Sequence, residues 1–161
     1  MADITYSGTS TIRRNHASPV LGKGDSGNSK LVTTTVEVAA SASGSTYKVT
    51  RVPSGARIAG LSNIYWDDLA TSGSPTLDFG VASVGSNITS DPDGLNDGLA
   101  ASATGSTALV KDRANYGKRA WEFVSGQTSD PGGELDIYFS VKDAATNAAG
   151  TVTLDLLYTL D

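Results

Sequence analysis

The stretch Ala149-Gly150-Thr151-Val152-Thr153-Leu154-Asp155-Leu156-Leu157-Tyr158-Thr159-Leu160 constrains this chain more than any other. Val152, Leu154, Leu156, Tyr158 and Leu160 fall on one face of an extended segment, while Thr151, Thr153, Asp155 and Thr159 fall on the other. A strand with one packed and one wet face follows, and it places the end of the sequence in the core. The same alternation recurs in Glu134 to Val141, where Leu135, Ile137, Phe139 and Val141 alternate with Glu134, Asp136, Tyr138 and Ser140. It recurs, shorter, in Thr76-Leu77-Asp78-Phe79-Gly80-Val81. An aspartate between two apolar neighbours is expected to point to solvent in such a strand.

Turn punctuation and β-branched content then mark further strands at short intervals. The expected set has eight members: 31–39, 46–52, 56–66, 75–82, 106–111, 118–124, 134–142 and 150–160. No stretch carries a sustained 3.6-residue apolar period, and glycine is frequent throughout, which argues against helices of three or more turns. The expected fold is all-β: a single-domain β-sandwich over residues 31–161. A jelly roll of about eight antiparallel strands is favoured, and a seven-stranded immunoglobulin-like sandwich is its nearest rival. Residues 1–30, rich in Ser, Gly, Asn and Thr and carrying Arg13, Arg14, Lys23 and Lys30, are expected to form an extended N-terminal arm.

Several function classes are disfavoured by what the 161 residues contain. There is no cysteine, so disulfides, thiolate nucleophiles and cysteine-ligated zinc are excluded. A formal net charge of −5 argues against general nucleic-acid binding, which needs a surplus of cations on phosphates. No apolar run is long enough for a membrane span, and the start Met1-Ala2-Asp3-Ile4-Thr5 does not read as a signal peptide. Synthesis and use in a cytoplasm, or release from one by lysis, is the expectation. His16 is the single histidine and lies in the arm, so a histidine-dependent triad has no framework; the expectation is no enzyme.

Three local features carry chemistry. Asp91-Pro92-Asp93-Gly94-Leu95-Asn96-Asp97-Gly98 has the short spacing of oxygen ligands used by calcium loops, with Asp91, Asp93 and Asp97 as candidate ligands. It lacks an oxygen ligand at Leu95 and a bidentate acid beyond, and it also reads as a plain Asp/Gly turn. No other metal or cofactor is indicated. The loop 111–121, with Lys111, Arg113, Lys118 and Arg119 among Tyr116 and Trp121, interleaves cations and aromatics in the manner of base-stacking or acid-facing surfaces, though Trp121 and Phe123 are expected to pack inward. Tyr65, Trp66, Asp67 and Asp68 form an aromatic–carboxylate group of the kind that holds sugars, although Trp66 is in phase with Ile64 and so favours burial.

As an ordered set, Gly55-Ala56-Arg57-Ile58, Tyr65-Trp66-Asp67-Asp68-Leu69, Thr76-Leu77-Asp78-Phe79-Gly80, the Asp91–Gly98 run, Gly117-Lys118-Arg119-Ala120-Trp121-Glu122 and Asp130-Pro131-Gly132-Gly133-Glu134-Leu135-Asp136-Ile137-Tyr138 resemble a group of small virion proteins. These are structural proteins of tailed bacteriophages, among them the capsid decoration or cement proteins. The resemblance covers about residues 50 to 161. It implies a β-sandwich, trimeric, seated on the outside of the capsid at three-fold or quasi-three-fold positions, with the major capsid protein as partner and neither nucleic acid nor membrane involved. Because the arm lies outside the resemblance, Arg13, Arg14 and His16 are assigned to capsid or inter-subunit contact on charge alone. Another virion part, such as a tail, fibre or head-tail accessory protein, and a carbohydrate-binding module are the alternatives that the same fold accommodates.

Overall fold

The computed structural model describes residues 29–84 and 89–160. Among the described residues nine strands run in chain order: β1 (Ser29–Val38), β2 (Thr46–Pro53), β3 (Arg57–Ile58), β4 (Asn63–Trp66), β5 (Thr76–Ser83), β6 (Asp91–Ala100), β7 (Gly105–Ala108), β8 (Glu134–Lys142) and β9 (Gly150–Thr159). They form two antiparallel sheets. One has the order β1-β9-β4-β7, with β3 also paired to β9, and the other the order β2-β8-β5-β6.

β3 and β4 lie along the same edge of β9, opposite Tyr158–Thr159 and Val152–Asp155, so they are two pieces of one interrupted strand. Counted that way there are eight strands, and the first pairs with the last, the second with the seventh, the third with the sixth and the fourth with the fifth. A long hairpin rolled so that its pairs fall alternately in two sheets is a jelly roll. The sandwich expected from sequence is therefore present.

The interruption is built by Ser62 and Gly60. The Ser62 hydroxyl donates to the Leu157 carbonyl at 3.1 Å and accepts from the Leu157 amide at 3.0 Å, taking the place of a ladder rung. Gly60 lies against the Tyr116 ring, where a Cβ would fall 2.2 Å from a ring carbon.

Alternating residues fill the space between the sheets. Val152, Leu154, Leu156, Ile58 and Ile64 come from one side, and Leu77, Phe79, Leu135, Ile137, Phe139 and Val141 from the other, all essentially inaccessible. Phe139 is the hub: its ring lies 5.0 Å from Tyr47 in a stacked pair and 5.4 Å from Phe79 in a tilted one. On β2 a bulge between Lys48 and Thr50 changes the phase, which lets Val49 and Val52 both face inward although they are three residues apart.

Three expectations are corrected. Residues 118–124 do not form a strand: Ala120–Phe123 is a single 3-10 turn. A three-residue period puts Ala120 and Phe123 inside and leaves Trp121 only partly buried, whereas strand alternation would have paired Trp121 with Phe123. Residues 91–98, expected as a calcium-type loop or a plain Asp/Gly turn, lie instead in β6. From Val81↔Asp91 to Phe79↔Asn96 the partner advances by five residues against two, so Pro92 to Leu95 form an irregular bulge. Finally, Asp136 does not reach open solvent; it is 5% exposed, covered by the side chains of Lys48 and Arg51.

Candidate functional site

The two outer faces of the sandwich differ in chemistry. On the β1-β9-β4-β7 sheet, register brings Thr35, Thr153, Tyr65 and Ser106 into one row and Thr33, Asp155, Asn63 and Ala108 into the next. These rows are tied by hydroxyls: Thr33 Oγ1 donates to Asp155 Oδ1 at 2.6 Å, and the Thr35 and Thr153 hydroxyls lie 2.9 Å apart. Leu31 and Leu157 sit opposite each other beyond them, and Leu31 and Leu61 are largely exposed. Charge on this face comes from Glu37, Asp67, Asp155 and, opposite Thr159 at its end, Arg57.

A groove of about 420 Å3 opens on the same face, lined by Tyr65, Trp66, Asp67, Thr104, Gly105, Ser106, Thr151 and Thr153. Its floor is fixed from below. The Trp66 indole is buried and its Nε1–H donates to the carbonyls of Ala100 (2.9 Å) and Ala103 (3.0 Å). Gly105 lies flat on that indole, where a Cβ would come within 2.3 Å of the ring. Tyr65, next in the strand, necessarily points the other way and is 43% exposed. At one end of the groove Asp67 Oδ2 accepts from both the Thr151 amide (2.7 Å) and the Thr151 hydroxyl (2.8 Å). Those hydrogen bonds hold the Asp67 carboxyl below the usual aspartate range.

The outer face of the β2-β8-β5-β6 sheet is charged. Asp136 accepts from Arg51 Nε at 2.7 Å and contacts Lys48 Nζ at 2.5 Å. A second concavity of about 390 Å3, lined by Thr46, Lys48, Ala82, Ser90, Asp136 and Tyr138, lies beside this cluster. Burial, with Asp91 and Asp93 nearby, raises the Tyr138 phenol above its ordinary range.

The calcium-loop candidates are divided between two places. Asp91 and Asp93 share a hydrogen bond, and that bond, with desolvation and the charges of Asp91 and Asp78, raises Asp93. Asp91 Oδ2 also accepts from the Ser125 amide at 2.7 Å. Asp97 turns to the other side, where it pairs with Lys111. Among the described residues no group of three His, Cys, Asp or Glu side chains is gathered as a metal site.

In the cationic loop Lys111 pairs with Asp97, the Gly117 carbonyl accepts from Arg57 Nη1, and the Arg119 amide donates to Glu122. Of the aromatic–carboxylate group, Tyr65 and Asp67 share the groove, whereas the Trp66 side chain turns into the fold and Asp68 accepts from the Ala70 amide. Arg13, Arg14 and His16 lie outside the described residues. Sequence inspection did not find Thr104, Ser106, Thr151 and Thr153 as groove residues; only sheet register brings them beside Tyr65. No helix among the described residues is long and apolar enough to cross a membrane.

Sheet order and pairing define the class, a jelly-roll β-sandwich. No family model and no curated protein matches the chain. Among solved structures, a chain in the capsid of Ralstonia phage GP4 shares the fold, with a TM-score of 0.56 and 20% identity over 82% of this chain and 85% of that one. A chain in the cyanophage Pam1 capsid asymmetric unit overlays more loosely, at a TM-score of 0.46 and 22% identity over 83% and 86%.

Proposed function

We propose that this chain is a virion structural protein of a tailed bacteriophage, a capsid decoration protein that binds the outside of the assembled shell at three-fold or quasi-three-fold positions and stabilises it. The observation that carries this reading is the shared jelly roll, over more than four fifths of both chains, with a chain from a phage capsid. It agrees with the ordered resemblance across residues 50–161. In this reading the major capsid protein is the partner, the assembled form is a homotrimer, and the arm containing Arg13, Arg14 and His16 meets acidic groups on the shell or on a neighbouring protomer.

The mechanism is mass action. A protein that binds the assembled shell and not its separated subunits stabilises the shell by RT ln(1 + [L]/Kd) at each site, about 2.7 kcal/mol at a hundredfold excess over Kd. Three arms engaging together raise the effective concentration of each.

Two measurements test the proposal. Quantitative mass spectrometry of purified particles should find one copy per major capsid subunit or a simple fraction of it. A handful of copies per particle would move the chain to the tail or portal, and none would remove it from the virion. Deleting residues 1–30 should abolish binding to particles while the sandwich stays folded by circular dichroism; unchanged binding would remove the arm from the mechanism.

A further inference from the structure

We infer that the groove beside Tyr65 is a binding site for an uncharged hexose unit of a glycan. This inference is independent of the virion role, since it rests on the groove alone.

Sugar recognition needs an aromatic face for the C–H side of the ring, and fixed acceptors and donors for its hydroxyls. The groove supplies both. Tyr65 offers an exposed ring whose π face carries partial negative charge, suited to the weakly positive C–H face of a pyranose. The ring stands on a rigid base, because Tyr65 belongs to a strand paired on both sides, to β7 and to β9. The neighbouring Trp66 is clamped through two hydrogen bonds under Gly105.

Asp67 supplies the acceptor. Both of its hydrogen bonds from Thr151 fall on Oδ2, and Oδ1 carries none among the described residues. A carboxylate held by one oxygen presents the other in a fixed direction, as a charge-assisted acceptor for a ligand hydroxyl. Thr104 and Ser106 line the groove with hydroxyls that both donate and accept. The volume, about 420 Å3, lies within the range of small-molecule sites, about 300–1,000 Å3.

Charge selects among sugars. No Lys or Arg lines the groove, Asp67 is ionised, and Asp155 and Glu37 lie on the same sheet face. An acidic sugar would meet a carboxylate without a counter-cation, whereas a neutral hexose would meet a strong acceptor.

The test is NMR titration of the full isotope-labelled chain with methyl glycosides of glucose, galactose and mannose and with N-acetylglucosamine. N-acetylneuraminate serves as the acidic comparison. At least one neutral sugar should shift the amide resonances of Tyr65, Gly105 and Thr151 saturably, with affinity in the millimolar range. Tyr65→Ala should weaken that binding about tenfold or more, Tyr65→Phe should keep it, and Asp67→Asn should weaken it. Unchanged chemical shifts outside the groove would show each variant folded. The site is overturned if no neutral sugar shifts these resonances into the tens of millimolar, if Tyr65→Ala binds as well as the parent, or if N-acetylneuraminate binds more tightly than every neutral sugar.

Discussion

Asp136 on β8 and Arg51 on β2 are register partners, and the guanidinium Nε lies 2.7 Å from the carboxylate Oδ1 across the ladder. Lys48, on the same strand as Arg51, closes over the other oxygen. Burial alone would raise the Asp136 carboxyl, but the hydrogen bonds and charges of Arg51 and Lys48 outweigh it and hold the group below the usual aspartate range. Asp136→Asn keeps the shape and removes the charge that both cations face. It should destabilise the fold by about 1–2 kcal/mol, read as a lower urea midpoint with an unchanged slope.

The pH dependence of stability follows from the same group. A carboxyl whose folded pKa lies below its unfolded value, about 3.9, contributes stability that is fully present above that value and is lost as pH falls through the folded pKa. Asp136 and Asp67 both contribute in this sense. Thermal melts should therefore show a stability plateau at neutral pH and a decline beginning near pH 4. In Asp136→Asn the decline should be shallower.

Asp93 has the opposite sign. Its folded pKa is raised, first by the shared hydrogen bond with Asp91, so it opposes folding at neutral pH and ceases to do so when protonated. Asp93→Asn should raise the melting temperature at pH 7, and the gain should shrink as pH drops through the carboxylate range. A variant less stable than the parent at pH 7 would show that the ionised Asp93 does not oppose folding.

Gly80 and Gly98 make a matched pair. A Cβ on Gly80 would fall 1.9 Å from the Asp91 carbonyl oxygen and 2.5 Å from the Pro92 carbonyl carbon, both backbone atoms that cannot move without breaking the β5–β6 ladder. Gly98 has a left-handed φ of +69° but open space around its Cβ position. Gly80→Ala should cost about 3 kcal/mol or leave the protein unfolded, and Gly98→Ala only about 1 kcal/mol, compared by chemical denaturation.

The two tryptophans should respond differently to the same substitution. Trp66→Phe removes the indole donor from two carbonyls, those of Ala100 and Ala103, whereas Trp121 Nε1 is buried with no hydrogen-bond partner among the described residues. Beyond the similar loss of volume, Trp66→Phe should cost about 1–3 kcal/mol more than Trp121→Phe. Equal costs would mean that water in the unfolded chain satisfies neither indole better than the fold does.

How much of this was legible depended on whether a segment obeyed one period. β8 and β9 declared themselves because Leu135, Ile137, Phe139 and Val141, and Val152, Leu154 and Leu156, keep strict alternation through long paired strands. β6 did not, since Pro92, Gly94 and Gly98 are the residues of turns and serve here a bulge that lets β6 cross closely over Gly80. The segment around Trp121 and Phe123 has strand composition, but the Ala120 amide bonds to the Ala56 carbonyl and the Val124 amide to the Trp121 carbonyl, which closes a 3-10 turn. Tyr65 and Asp67 were visible as a pair. Their hydroxyl partners come from strands some 40 and 85 residues away, which no local pattern announces.

The rolled hairpin also implies an order of events. β5 and β6 are joined by a short connection, while the hydroxyl of Thr33 reaches Asp155 across 122 residues of chain. Closing the large loop first would cost the most entropy, so assembly is expected to proceed from the β5–β6 tip outward, with β1 zipping onto β9 at the end. The strand attached to the N-terminal segment is thus the latch of the whole domain. Whatever grips that segment also decides how firmly the latch stays shut.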